Sequence, residues 1–99
     1  MNLDDLQYEF DKVDAEFLKF HKIPNKRRRS ERPDLHAFML LDELVPSTKC
    51  IIDSSSHDIA HIGVDDEEFA KVATPEIILE LTRCGVLYSG EGYGLYMFT

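Results

Sequence analysis

Apolar positions repeat along this chain with two different periods. Leu3, Leu6, Phe10, Val13, Phe17 and Phe20 recur at spacings of three and four. That spacing gathers side chains on one stripe of a helix, and it predicts a first helix from Leu3 to His21. Asn2 suits its cap. Asp4 and Asp5 complement the positive end of the dipole, and Lys19, His21 and Lys22 the negative end. Pro24 opposes continuation. The stripe covers fewer than three heptads, so a helix packed on its own domain is the expected use, with pairing across a homodimer as the alternative.

A second helix is predicted from Asp34 to Val45, with Asp34 as cap after Pro33 and Pro46 closing it. Leu35, Phe38, Met39, Leu41 and Leu44 form its apolar face, with Met39 as core filler. The period then shortens to two. Lys49 to Asp53 and Ile59 to Val64 read as strands rich in β-branched residues, with polar Ser54 to Asp58 as the turn between them. Asp65 or Asp66 can cap a short helix that has Glu67 and Glu68 in its first turn and Phe69, Ala70 and Val72 beyond.

The stretch TPEIILELTRCGVLYSGEGYGLYMFT, from Thr74, is the most completely specified. Thr74 caps, Pro75 fits the first helical position, Ile77, Ile78 and Leu81 supply an apolar face, and Gly85 stops the helix. Two strands, Val86 to Ser89 and Tyr93 to Phe98, follow around Gly90-Glu91-Gly92. The resulting order is α-α-β-β-α-α-β-β, an α+β single domain over residues 1–99. Two hairpins make one four-stranded antiparallel sheet packed with three to four helices. The last strand is apolar at both parities, since Tyr93, Leu95 and Met97 alternate with Tyr96 and Phe98. Helices on both faces, or a partner on one, would account for that.

Charge adds what periodicity does not show. The formal net charge is −8, with 30% of residues charged and 43% hydrophobic, a globular rather than disordered balance. Residues 1–22 carry six acids and three bases, 23–33 five bases and one acid, and 34–99 twelve acids and three bases. Most of the chain repels phosphate, and one short stretch attracts it. That stretch, IPNKRRRSERP, reads as an exposed linker bracketed by prolines. Lys26, Arg27, Arg28, Arg29 and Arg32 could meet nucleic acid, an anionic membrane surface or an acidic partner, or remain solvated or intramolecular. The acidic MNLDDLQYEF start and the lack of a spanning apolar run predict a cytoplasmic protein without membrane contact. Cys50 and Cys84, far apart and outside any C-x-x-C, read as free buried thiols, with a disulfide between them as the alternative.

Candidate chemistry is sparse. Asp53, His57, Asp58 and His61 are the strongest candidate for a reactive cluster, the basis of a metal-dependent hydrolase reading. In a strand, residues four apart lie roughly 13 Å apart, too far to share an ion, and the H-E-x-x-H pattern is missing. Ser54, Ser55 and Ser56 lack a nucleophile context, so no catalytic residue and no cofactor are assigned. Gly90, Gly92 and Gly94 lie between strands rather than before a helix, which is turn chemistry and not a phosphate loop.

Residues 66–98 also follow the order of a winged helix, the nucleic-acid alternative. There the recognition helix would carry Glu76 and Glu80 against Arg83, and the wing Glu91, the wrong sign for phosphate. The leading expectation is a non-enzymatic interaction module, an inhibitor or regulator that covers a basic surface of a protein partner. Asp65, Asp66, Glu67, Glu68, Glu76, Glu80 and Glu91 are its contact candidates, with an aromatic patch of Tyr88, Tyr93 and Tyr96.

Overall fold

The computed structural model describes residues 1–92 and 94–98. Helix α1 covers Leu3–Lys12, α2 Pro33–Leu44, α3 Asp66–Val72 and α4 Pro75–Arg83; the strands are β1 Ile52–Ser56, β2 Ile59–Ile62, β3 Val86–Ser89 and β4 Gly94–Phe98. The predicted α-α-β-β-α-α-β-β order and antiparallel sheet are present, with strand order β1-β2-β4-β3. Three caps are those expected from the sequence. The Asn2 side chain accepts from the Asp5 N–H and Asp5 returns the bond to the Asn2 N–H, a capping box. Asp65 accepts from the Glu68 N–H, and Thr74 from the Ile77 N–H.

The first helix is shorter than predicted. It ends at Lys12, and residues 14–16, 20–22 and 25–27 form separate 3-10 turns. A helix to His21 would be about 28 Å long at 1.5 Å per residue, while the whole molecule measures 32 × 26 × 26 Å. Instead the chain turns back over the end of α4. Leu18 takes φ 61, and its N–H bonds Thr82 O at 3.1 Å. The Glu16 carboxylate receives the Arg83 guanidinium at 2.8 and 3.1 Å. That guanidinium holds the Glu16 carboxyl below its ordinary range, against partial desolvation and with help from Lys22 and Lys19. The apolar stripe still reaches the core, because Val13 and Phe20 pack against it from the turns.

Helix α2 is rotated from the predicted face. His36, Ala37, Leu40 and Leu41 are buried, while Leu35 and Met39 stand exposed at 43% and 42%. Met39 is therefore not core filler. Arg32 occupies the cap position without a side-chain bond; Asp34 bonds only its neighbour, the Leu35 N–H. Strand β1 begins three residues later than expected, and its turn to β2 tightens to His57-Asp58, with His57 at φ 55. Tyr93, predicted to open β4, lies outside the described residues.

The sheet buries one face. Ala60 and Met97, Val86 and Met97, and Tyr88 and Leu95 are cross-strand pairs, and all five residues are buried. Below them lie Leu6 and Phe10 of α1, Phe69 of α3, and Ile78 and Leu81 of α4, all in one continuous core. Phe10 stacks on Tyr88 with ring centroids 5.7 Å apart. Along the opposite face run Ser54, Ser56, Ile59, His61, Leu87, Ser89, Gly94, Tyr96 and Phe98, none of them buried.

Gly85 joins α4 to β3 at φ 97, a conformation strained for any residue with a Cβ, and an added Cβ would lie 2.7 Å from Leu18 Cδ2. Gly85→Ala is expected to destabilise the fold by about 1–3 kcal/mol in urea unfolding, with an unchanged m-value.

Candidate functional site

The basic stretch does not stand apart from the domain. Glu80, on the inward side of α4 with 7% of its surface exposed, draws it in. Arg27 donates to Glu80 Oε1 at 2.6 Å. The imidazole of His36, wholly buried, lies 3.0 Å from Glu80 Oε2 through Nε2. On its other side the Arg29 N–H donates to His36 Nδ1 at 3.0 Å. A nitrogen that accepts an N–H carries no proton, so Nε2 holds it and donates to Glu80. Three segments (27–29, α2 and α4) thus meet at one carboxylate.

The remaining arginines extend this knot. Arg28 donates to the carbonyls of Ile23, Phe20 and His21, pairs with Glu31, and lies 4.7 Å above the Phe20 ring. Phe20 in turn meets His36 edge-on at 6.0 Å. Arg29 pairs with Glu43 of α2. Of the five basic candidates, only Lys26 and Arg32 make no ion pair among the described residues. A cleft of about 520 Å³ runs beside this knot, lined by Lys26, Arg27, Arg28 and Arg29 on one side and Glu76 and Glu80 on the other. Its mixed sign makes it a poor phosphate cradle.

The acidic candidates divide. Glu80 is the correction among them. It was expected on a docking surface, but burial and two internal bonds place it in the interior. Glu68 pairs with Lys71, while Glu67 and Glu76 are exposed without an ion pair among the described residues. Asp53, Asp65 and Asp66 line one depression of about 380 Å³ with Gly92 and Gly94, opposed only by Lys49. Asp4 and Glu91 line a second of about 640 Å³ with Tyr88 and Tyr96. The two lie on either side of the β3–β4 turn. Burial of the Tyr88 hydroxyl, and the nearby Asp66 and Asp4 carboxylates, push its pKa up. That hydroxyl has no hydrogen-bond partner among the described residues.

Asp66 feels the crowding. Burial, then Asp65 and Glu67, raise its pKa above the ordinary aspartate value. Its Oδ1 would lie 2.8 Å from a Cβ on Gly94, so glycine there makes room for the carboxylate. Tyr88, expected in a surface patch, is buried against Phe10, whereas Tyr96 lies on the open sheet face in edge contact with Phe98.

Of the metal alternative, Asp53, His57 and Asp58 are exposed and His61 half-buried. No group of three His, Cys, Asp or Glu with metal-holding geometry occurs among the described residues. Both cysteines are free, and Cys84 is buried as expected, but Cys50 is exposed rather than buried. Burial, with Glu80 adding, pushes the Cys84 thiol up to about 12, far from thiolate chemistry. No helix among the described residues is long and apolar enough to cross a membrane.

Sequence reasoning missed the knot around Glu80. Two signals mark it in retrospect: an acid beside Ile77, Ile78 and Leu81 on an apolar helix face, and His36 beside Ala37, Leu40 and Leu41 on another. No family model, curated protein or solved structure matches this chain.

Two measurements follow from this geometry. Glu80→Ala leaves the buried His36 N–H and Arg27 without an acceptor and is expected to cost about 2–4 kcal/mol by urea unfolding. His36→Leu added to Glu80→Ala is expected to cost less than the two single losses summed, because it removes the orphaned donor. For Asp66, the raised native pKa means the native state favours its protonated form. The stability this confers is full below the unfolded aspartate pKa and is lost as pH rises through the native value. Asp66→Asn is therefore expected to raise the melting temperature at neutral pH, with the gain shrinking toward nothing on acidification below the ordinary aspartate range.

Proposed function

We propose that this protein is a non-enzymatic docking module that covers a basic surface of a protein partner, as an inhibitor or regulator. The observation that carries this reading is the pair of carboxylate-lined depressions flanking the β3–β4 turn: Asp53, Asp65 and Asp66 on one side, Asp4 and Glu91 on the other.

The distribution of ion pairs supports it. Among the described residues, eight of the eleven basic side chains pair with six acids. Most of the protein's cationic charge is thereby engaged internally, and the surplus negative charge remains on acids such as those at the turn. A concave surface of one sign raises the local concentration of an oppositely charged partner and speeds encounter. Carboxylates seated against lysines and arginines would exclude a phosphate that those side chains otherwise hold. The alternative of nucleic-acid binding through Lys26, Arg27, Arg28, Arg29 and Arg32 has less to draw on, since three of those five charges face carboxylates of the same chain.

The test compares the protein with its Asp53→Asn, Asp65→Asn, Asp66→Asn variant as bait in a native lysate at low and high salt. Asparagine caps helices as well as aspartate does, so the variant keeps the start of α3. Basic proteins are expected on the unaltered bait at low salt, reduced at least tenfold by high salt and by the variant. Retention indifferent to both treatments would refute the docking reading. Binding lost instead on Lys26→Ala with Arg32→Ala would favour the nucleic-acid alternative.

A further inference from the structure

Resting on the docking reading above, we infer that the depression holding Asp4 and Glu91 receives an arginine side chain of the partner, whose guanidinium donates to the Tyr88 hydroxyl. Carboxylates alone would attract any cation; the hydroxyl makes the site particular. Tyr88 has 5% of its surface exposed, and its hydroxyl has no hydrogen-bond partner among the described residues. A buried polar group left unpaired is costly, and nearly every such group in a folded protein finds a partner. This one borders the depression. A Cβ built on Gly90 would lie 3.6 Å from the Tyr88 hydroxyl oxygen, and Gly90 and Tyr88 both line the cavity of about 640 Å³. The missing side chain at position 90 leaves room beside that oxygen.

Charge, shape and donor number select the guanidinium. Asp4 and Glu91 are exposed, and neither has an ion pair among the described residues, so the depression draws cations and repels anions. A metal ion needs several ligands converging on one point, and no group of three His, Cys, Asp or Glu does so among the described residues. An ammonium is a compact, strongly hydrated charge with no flat face. A guanidinium is planar, weakly hydrated and carries five N–H donors. It can bond a carboxylate and a phenol oxygen together while lying along the ring of Tyr96, which lines the same cavity. Burial, with Asp66 and Asp4, keeps the Tyr88 hydroxyl protonated, and a protonated phenol still accepts through its lone pairs.

The walls of the site are tied together before any ligand arrives. Gln7 of α1 donates through Nε2 to Asp11 Oδ1 at 3.0 Å and to Tyr88 O at 3.4 Å. Its Oε1 accepts the Gly90 N–H at 3.0 Å. These bonds hold the β3–β4 turn on α1, which brings Glu91 of the turn and Asp4 of the helix to one cavity. A side chain entering a site already ordered in this way gives up less affinity to ordering it. The neighbouring depression of Asp53, Asp65 and Asp66 has no aromatic ring in its described lining. It attracts cations without choosing among them, so the selection lies at Tyr88.

Titration of the isotope-labelled protein with an acetylated tripeptide amide carrying a central arginine, followed in its amide spectrum, tests this. Saturable shifts are expected at Ser89, Gly90 and the Gln7 side-chain amide. The same peptide with lysine in place of arginine is expected to bind about tenfold more weakly. Tyr88→Phe separates recognition from packing. It removes an unpaired buried hydroxyl, so stability is expected to hold or rise while affinity for the arginine peptide falls about tenfold. Gly90→Ala fills the room beside the hydroxyl. Gly90 does not take a positive φ, and its added Cβ meets nothing closer than 3.6 Å, so an unchanged melting temperature with lost peptide binding is expected. Absence of shifts, equal binding of the two peptides, or full affinity in Tyr88→Phe or Gly90→Ala would each overturn the assignment. So would shifts confined to Asp53, Asp65 and Asp66. Basic proteins captured from lysate with no response to the arginine peptide would sink this inference and leave the docking reading standing. An intact peptide response with no capture would sink the docking reading instead.

Discussion

Glu80 lies where three parts of the chain meet, and each of its carboxylate oxygens holds one of them. Oε1 takes Arg27 from the basic segment and Oε2 takes His36 from α2, while the backbone of α4 carries the carboxylate. A buried carboxylate is costly to desolvate, and its partners offset that cost without adding much net stability. What the arrangement contributes is position. The imidazole accepts only one approach of the Arg29 amide, and that fixes the 23–33 segment against α2. Phe20, stacked under Arg28 and edge-on to His36, closes the same corner from the α1 side.

The consequence for electrostatics is large. Arg27, Arg28 and Arg29 of the one strongly basic stretch are paired with carboxylates of the same chain, while Lys26 and Arg32 remain exposed without an ion pair among the described residues. Arg83 is likewise held by Glu16. Acids left over from this pairing then set the character of the exterior, and the glycine-rich β3–β4 turn brings several of them near one another. Glycine at positions 92 and 94 lets the Asp53–Asp65–Asp66 depression exist without side chains filling it. Crowding there is visible in Asp66, whose carboxyl is pushed toward its neutral form.

The two faces of the sheet complete the division of the molecule. One is covered by α1, α3 and α4 and closes the core around Phe69, Ile78 and Leu81. The other carries Ile59, Leu87, Tyr96 and Phe98 among serines and His61.

Features written within a few neighbouring residues were legible from the chain alone. The caps at Asn2, Asp65 and Thr74, the stop at Gly85, the strand Val86–Ser89 and the overall order of elements all depend on local backbone chemistry. Only the tertiary structure decided where α1 ends, which face α2 buries and what the arginines do. The reason is distance along the chain: Glu80 meets partners 44 and 53 positions away, and the Leu18 amide is claimed by the end of α4. Periodicity placed Met39 in the core because it sits among Phe38, Leu40 and Leu41, and an imidazole on its own is a poor candidate for burial. Beside a buried carboxylate and an amide donor, the two nitrogens of His36 are both satisfied, and it is His36 that is buried.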